Sequence, residues 1–395
     1  MIPSNKASLD FANTEIAFKG KSDKELKKTS WLFKVMNQPF LTNILSTAGV
    51  WVTRLRLPIS TRIIKNTIFE QFCGGTTLLE CQKTIDKLNS NNVLSVLDYG
   101  AEAKETEHDF DATMNEFLRA IEFASLNDSV PVISVKVTGM ARFDLLEKIS
   151  SGAVLTENET KEYEVVVKRV DAVCHKAQSK NVAVFIDAEE SWIQQAVDEL
   201  VDKMMERYNQ NRVVVYNTFQ MYRHDRLSFL KSSFERALRQ NYLLGAKLVR
   251  GAYMDKERKR AEDLGYPSPI QKDKTATDRD YNAGIKFCLE HFEKISVCNA
   301  THNQESCKLM AEIIDGMKVS KNHAHLNFCQ LYGMSDNLTF NLAAAGYNAA
   351  KYLPYGPVRE VIPYLVRRAQ ENSSITGDIS REYGMILTEV KRRGL

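Results

Sequence analysis

Several common signatures are missing from this sequence. It has no CxxC pair, and its seven cysteines, Cys73, Cys81, Cys174, Cys288, Cys298, Cys307 and Cys329, are odd in number. A disulfide framework and a structural zinc site are both disfavoured, and a reducing compartment is favoured. No HExxH and no His/Cys/Asp cluster with ligand spacing occurs, so no metal is expected. His323 and His325 could share a strand face, but a third ligand is not evident. There is no G-x-S-x-G elbow. The formal net charge is only +3, and no Lys/Arg run is interleaved with aromatics. Nucleic acid is therefore not an expected partner. Long hydrophobic runs are also lacking. The longest apolar stretch, Leu41–Leu57, is interrupted by Arg54 and is too short and charged to span a bilayer. A peripheral membrane contact stays open. The N-terminus has no signal-peptide pattern, and Asp10, Glu15, Asp23 and Glu25 argue against an acid-poor transit peptide.

What is present is an ordinary globular composition, with 44% hydrophobic and 26% charged residues. The 395 residues suit one large domain or two smaller ones. Up to residue 90 the apolar residues recur at helical spacing, through Trp31–Phe40, Leu41–Leu57, Ile63–Phe72 and Leu78–Leu88. Lys19–Lys28 reads as a charged, exposed stretch. From residue 93 short apolar runs alternate with longer amphipathic ones. The candidate strands are Val93–Asp98, Val132–Val137, Val182–Asp187, Val213–Phe219, Ala246–Arg250, Ser296–Ala300, Ala324–Phe328 and Tyr347–Tyr352. Helical candidates between them include Asp111–Leu126, Glu162–Ser179, Trp192–Tyr208, Asp225–Leu244 and Gln304–Met317. Near-continuous apolar strands fit a sheet buried on both faces. Eight such units over roughly 280 residues match an α/β fold of the (β/α)₈ type. A doubly wound open sheet is the rival. It would more often show a Gly-rich turn after the first strand, and Asp98-Tyr99-Gly100-Ala101-Glu102 is not one. Two long connections stand out, the polar Ser151–Lys161 and the charged Met254–Tyr281 with Pro267 and Pro269. The second follows a strand end and is read as a binding loop.

Polar residues gather where these strands end. In chain order they are Asp98 and Glu102; Lys136; Asp187, Glu189 and Glu190; Gln220 and Tyr222; Lys247, Arg250 and Tyr253; Thr301, His302 and Asn303; Gln330 and Tyr332; and Lys351 with Tyr352. Any one could be a cap or a structural ion pair. Together they suggest the chemical end of a barrel. On the segment that follows, Tyr364, Arg367, Arg368 and Glu371 share one helical face, opposite Val358, Ile362, Leu365, Val366 and Ala369. Two adjacent guanidiniums match a carboxylate or phosphate, and a solvated charged face is the alternative. The cations Lys136, Lys247, Arg250, Lys351, Arg367 and Arg368 suit a ligand with two anionic parts. Gly251 and Ala252 leave room for a cofactor to approach the backbone.

These motifs, in this order, resemble the proline dehydrogenase family, flavin-dependent enzymes of proline catabolism. The resemblance runs from about Val93 to Asn372 and rests on Ser134-Val135-Lys136, Ile186-Asp187-Ala188-Glu189-Glu190, Thr218-Phe219-Gln220, Lys247-Leu248-Val249-Arg250-Gly251-Ala252-Tyr253, Ala300-Thr301-His302-Asn303 and Tyr364-Leu365-Val366-Arg367-Arg368 with Glu371-Asn372. It implies a distorted (β/α)₈ barrel holding FAD, preceded by a helical arm. The expected division is an arm over 1–90, a barrel over 91–375 and a tail over 376–395. Arg367, Arg368 and Lys136 would hold the proline carboxylate. Tyr352, Tyr364, Leu331 and Tyr253 would surround the ring. Asp187 and Arg250 join Lys136 as the implied catalytic set. Ala188, Gln220, Lys247, Val249, Arg250, Gly251, Thr301, His302 and Glu371 would contact FAD, and Glu102 would form a gate with the first arginine of the pair. Many members read Arg-Leu-Val-Lys where this chain reads Lys247-Leu-Val-Arg250, a swap that resembles the eukaryotic-type branch. No aldehyde dehydrogenase module follows, so the monofunctional form is expected.

The implied reaction is oxidation of L-proline to Δ1-pyrroline-5-carboxylate, with hydride transfer to flavin N5 and electrons passed to a membrane quinone. Tyr352 favours proline over 4-hydroxyproline. A Schiff-base aldolase using Lys136 and a non-catalytic amino-acid-binding barrel are the other classes considered. The expected location is cytoplasmic, possible peripheral contact with the bacterial inner membrane included, or the mitochondrial matrix side for a eukaryotic source.

Overall fold

The computed structural model describes residues 9–36, 68–100, 104–358, 360–361 and 378–395. Strands β1 (Leu94–Tyr99), β2 (Val132–Val135), β3 (Ala183–Ile186), β4 (Val215–Gln220), β5 (Leu244–Val249), β6 (Ile295–Ala300), β7 (Leu326–Leu331) and β8 (Asn348–Tyr355) close in sequence order into a parallel barrel. β4 is buried along its whole length, as a strand covered on both faces must be. Closure of the barrel removes the doubly wound alternative.

Helices α1 (Thr14–Phe18), α2 (Asp23–Met36) and α3 (Leu78–Asn89) precede the barrel. Between the strands run α4 (Glu107–Ser125), α5 (Phe143–Ser150), α6 (Glu157–Ser179), α7 (Ser191–Tyr208), α8 (Arg226–Gln240), α9 (Met254–Leu264), α10 (Lys274–Glu290), α11 (Gln304–Gly316) and α12 (Asp336–Ala344). α13 (Asp378–Arg392) closes the chain. Many begin where the sequence supplies a cap. Thr77, Thr106, Asp273 and Asn303 each accept a first-turn N–H, and Thr156 with Glu159 forms a reciprocal capping box.

Three readings of the connections change. Met254–Tyr281 is not a loop but α9, a short extended piece and the start of α10. Its charged residues are the solvated faces of helices, and charge alone does not separate those from a loop. The polar stretch Ser151–Lys161 is shorter as a connection, because α6 already begins at Glu157. β8 runs on through Pro354 to Tyr355, so Lys351 and Tyr352 lie within it rather than at its end.

The chain divides into two compact units, one from Met1–Gly100 with Cys329–Leu395 and one from Ala101–Phe328. In the first, α1, α2 and α13 pack together around Ala17, Phe18, Leu26, Phe33 and Ile386. The chain ends are tied by Thr14 Oγ1 to Glu389 (3.0 Å) and by Arg393 to the carbonyls of Phe18 and Lys21 (2.8 Å each). Lys21 is therefore not part of a freely exposed stretch. It reaches Asp336 at 3.4 Å. In the second unit, β2 to β6 carry their helices, α4 packing on β2 and α10 on β5 and β6.

Candidate active site

Strand register assembles the centre of the site in the Ala101–Phe328 unit. Val135 pairs with Ile186, Ile186 with Asn217, and Thr218 with Lys247. One step beyond these first two pairs, Lys136, Asp187 and Thr218 fall at one level, and Lys247 completes it. Partners at one level of a parallel sheet point to the same face. The consequence is a buried ion cluster. Asp187 Oδ1 accepts from Lys247 Nζ at 2.5 Å and from Ser134 Oγ at 2.8 Å, while Oδ2 lies 3.3 Å from Lys136 Nζ. Asp187 is 8% exposed, Lys136 7% and Lys247 5%. Lys247 Nζ also lies 5.3 Å over the Phe185 ring. Two ammoniums face this one carboxylate. Burying such a group costs desolvation energy that a hydrocarbon would not. Its place at the barrel end makes it a functional candidate.

Beside it, Gln220 Nε2 donates to the Glu189 carbonyl at 2.8 Å. The Glu189 carboxylate accepts from the Thr138 backbone N–H at 3.2 Å and from the Thr138 hydroxyl. Ala188 between Asp187 and Glu189 is half-buried.

Arg250 follows β5 and is partly exposed. Its Nε and Nη2 donate to Asp278 Oδ1 at 2.9 and 2.6 Å, Nη1 to Thr301 Oγ1 at 2.5 Å, and Nη2 also to Ser306 Oγ at 3.0 Å. The guanidinium carbon lies 4.3 Å from the centre of the buried Tyr281 ring. Asp278 Oδ2 accepts from Lys274 at 2.5 Å. Burial acts to raise the Asp278 carboxyl pKa, but the bonds from Lys274 and Arg250 outweigh it and hold the group below its ordinary value. His302 is half-buried next to Thr301.

Gly251 has φ +132°, and a Cβ there would lie 2.4 Å from the Tyr222 ring. The Tyr222 ring by itself requires glycine on that side. The backbone N–H groups of Met221 and Tyr222 donate to the carbonyls of Val249 and Arg250 at 2.8 and 2.7 Å, which fixes this turn. Tyr253, half-buried, leads into α9, where the fully buried Glu257 accepts the Ser191 N–H and hydroxyl at 2.7 and 2.5 Å. Glu257 thus caps α7 from another helix.

In the other unit, Tyr352 is buried and Leu331 packs beside Leu32, Phe69, Phe72, Cys73, Met334 and Val361. Lys351 is fully buried and pairs with Asp336 at 2.9 Å. It is a structural cation and leaves the set of ligand-facing ones. The backbone N–H groups of Glu360 and Val361 bond to the Pro357 carbonyl at 2.8 and 3.2 Å, so a helical turn opens there. Glu102, Tyr364, Arg367, Arg368 and Glu371, and the apolar stretch Leu41–Leu57, lie outside the described residues. Among the described residues no group of three His, Cys, Asp or Glu could hold a metal ion. The seven cysteines are buried and none is in a disulfide.

Sequence reasoning quoted Ser134 without a role and missed Asp278, Lys274, Ser306 and Asn282, whose Oδ1 accepts from Ser306 at 2.7 Å. The i,i+4 spacing of Lys274 and Asp278 was a signal, but it lay in the stretch read as a loop.

The proline dehydrogenase family model matches residues 81–381. Among curated relatives, the carbapenem antibiotics biosynthesis protein CarD of Pectobacterium carotovorum is 34% identical over 82% of this chain and 83% of its own length. Proline dehydrogenase 1, mitochondrial, of Dictyostelium discoideum is 30% identical over 98% of this chain and 75% of its own. The hydroxyproline dehydrogenase of Xenopus laevis is 29% identical over 98% and 91%. A solved structure of proline utilization A from Bdellovibrio bacteriovorus, inactivated by N-propargylglycine, superposes with a TM-score of 0.75 at 22% identity. It covers 93% of this chain and 42% of that one, and shows the shared fold.

Proposed function

The chain belongs to the proline dehydrogenase family and is an oxidoreductase of it, and we propose that it oxidises L-proline to Δ1-pyrroline-5-carboxylate with FAD as cofactor. The observation that carries this reading is the buried level of Lys136, Asp187 and Lys247, with Arg250 close by in sequence. The donor set fits the cofactor. Two clusters each hold two cations on one carboxylate, and Gln220 and Thr301 add polar groups. A ligand anionic at its phosphates and hydrogen-bonding at its ring suits such a set. Ala188, Gln220, Lys247, Val249, Arg250, Gly251, Thr301 and His302 are the described residues that would hold it. When bound, FAD supplies the two-electron sink for the hydride leaving the proline ring carbon.

The residues of the chain position and neutralise. Lys136, paired with Asp187 at 3.3 Å, would meet the substrate carboxylate. Asp187, with three donors on its oxygens, fixes both lysines rather than acting as a mobile base. Tyr253, Leu331 and Tyr352 are assigned to the ring by their motifs. So are Tyr364, Arg367 and Arg368 to the substrate, Glu371 to the cofactor and Glu102 to the gate. The chain's division into arm, barrel and tail stays part of this proposal. Electrons are proposed to pass to a membrane quinone through peripheral contact by the N-terminal arm. Among the described residues no helix is long and apolar enough to cross a membrane. Several relatives are named mitochondrial, which supports the matrix side if the source is eukaryotic. For a bacterial source the cytoplasmic face of the inner membrane is proposed.

Family membership removes the aldolase and the non-catalytic barrel. The Xenopus relative keeps 4-hydroxyproline as the second substrate reading, and Tyr352 favours proline. Anaerobic addition of L-proline to the purified protein should bleach its flavin absorbance, and more than tenfold faster than 4-hydroxyproline does. A colourless protein, or equal rates on both, would overturn the cofactor or the substrate assignment respectively.

A further inference from the structure

Arg250 is held more firmly than an ordinary surface arginine. Three separate elements meet on its guanidinium: Asp278 from α10, Thr301 after β6 and Ser306 from α11. Among the described residues four of its five N–H bonds have protein acceptors, which leaves one on Nη1. The ring of Tyr281 backs it, and that ring is itself fixed. The Tyr281 hydroxyl lies 3.0 Å from the Leu248 carbonyl and 2.7 Å from Asn299 Oδ1.

A carboxylate against an anion-binding arginine would ordinarily weaken it. Here Lys274 holds the other oxygen of Asp278. Lys274, Asp278 and Arg250 together keep one net positive charge. Asp278 therefore orients the fork without cancelling its attraction. We propose that Asp278 is a positioning residue that presents Arg250 to the phosphates of FAD. This rests on the reading of the chain as an FAD enzyme.

Positioning and plain electrostatics predict opposite signs. Asp278→Ala removes the acceptor and adds one net positive charge. If charge alone mattered, the variant would bind FAD more tightly. If orientation matters, it binds FAD more weakly, by about tenfold or more. Asp278→Asn retains an acceptor oxygen and should restore most of the affinity.

Quenching of flavin fluorescence on titrating the apo-protein measures both. FAD is compared with riboflavin, which lacks phosphate. The expected result is a tenfold loss for FAD in Asp278→Ala, a shift under threefold for riboflavin, and recovery in Asp278→Asn. Unchanged or tighter FAD binding in Asp278→Ala overturns the proposal. So does a parallel loss for riboflavin, which marks a merely structural role, or no recovery in Asp278→Asn. If the unsubstituted protein binds no FAD, the cofactor reading fails instead, and this inference falls with it.

Discussion

Lys247 and Arg250 stand at the same strand end and answer to different carboxylates. Lys247 goes inward to Asp187 and Arg250 outward to Asp278. The swap of lysine and arginine seen in the sequence thus has a structural counterpart. A slim ammonium serves the buried position, and the planar fork serves the partly exposed one, where several acceptors surround it. Lys247→Met leaves Asp187 with Lys136 at 3.3 Å and the Ser134 hydroxyl. Breaking a buried pair costs about 3 kcal/mol or more, and the remaining partners keep this case at the low end. The urea midpoint of the variant reads it. A change below about 0.5 kcal/mol would place Lys247 with ordinary surface substitutions. The types and order of these site residues were legible in the sequence. Their pairing was not, because Asp187 could have turned to cap α7, and only the register of β2 to β5 brings two lysines to it.

At the scale of elements, local signals placed most helix starts and the eight strands, since caps and apolar runs act over a few residues. They failed where one element depends on another. α9 has few apolar residues of its own, and its docking uses contacts from elsewhere. Glu257 caps α7, and Arg260 lies 4.4 Å from the centre of the Trp192 ring. The turn before it shows the same dependence. Gly251→Ala puts a methyl group against the buried Tyr222 ring and forces an alanine to φ +132°. A cost of roughly 2–4 kcal/mol follows from strain and overpacking together. A Tm within about 1 °C of the parent would refute this, because even ~1 kcal/mol moves Tm by more than that in a chain of this size.

For the whole molecule, both chain ends enter the fold through charge. Asp336, Lys351 and Glu382 form a buried set drawn from α12, β8 and α13, and the half-buried Lys21 of the arm joins it through Asp336. Burial, and then the Asp336 carboxylate, pushes the Glu382 pKa up to about 7. The Ser335 N–H, Lys351 and Lys21 act in the opposite direction. The folded state therefore holds a proton that the unfolded chain releases above its usual carboxylate pKa. Stability contributed by this group is fully present below about pH 4.5, falls as pH rises to about 7, and stays low above. Glu382→Gln should flatten that fall and stabilise the protein at pH 8 by on the order of 3 kcal/mol. Denaturant titrations at pH 5 and pH 8 test it, and an equal gap between variant and parent at both values would reject it. Glu25 and Glu389 act at the other extreme. Burial opposes ionisation in both, but Lys87 and Ser22 hold Glu25, and Arg392, Arg393 and Thr14 hold Glu389, at about 2. Their contribution is lost as pH falls from about 4.5 towards 2.

The sequence by itself determined the architecture and the kind of chemistry. Strand-length apolar runs, capped amphipathic stretches and polar strand ends are local properties, and they suffice for a barrel with a charged end. Tertiary structure alone decided which charge pairs with which. Lys351 looked like a ligand-facing cation and is spent on Asp336, while Asp278 looked like loop charge and holds Arg250. The physical reason is that a buried charge takes its role from whichever opposite charge the packing brings within a few ångströms, and that partner is usually far away in sequence.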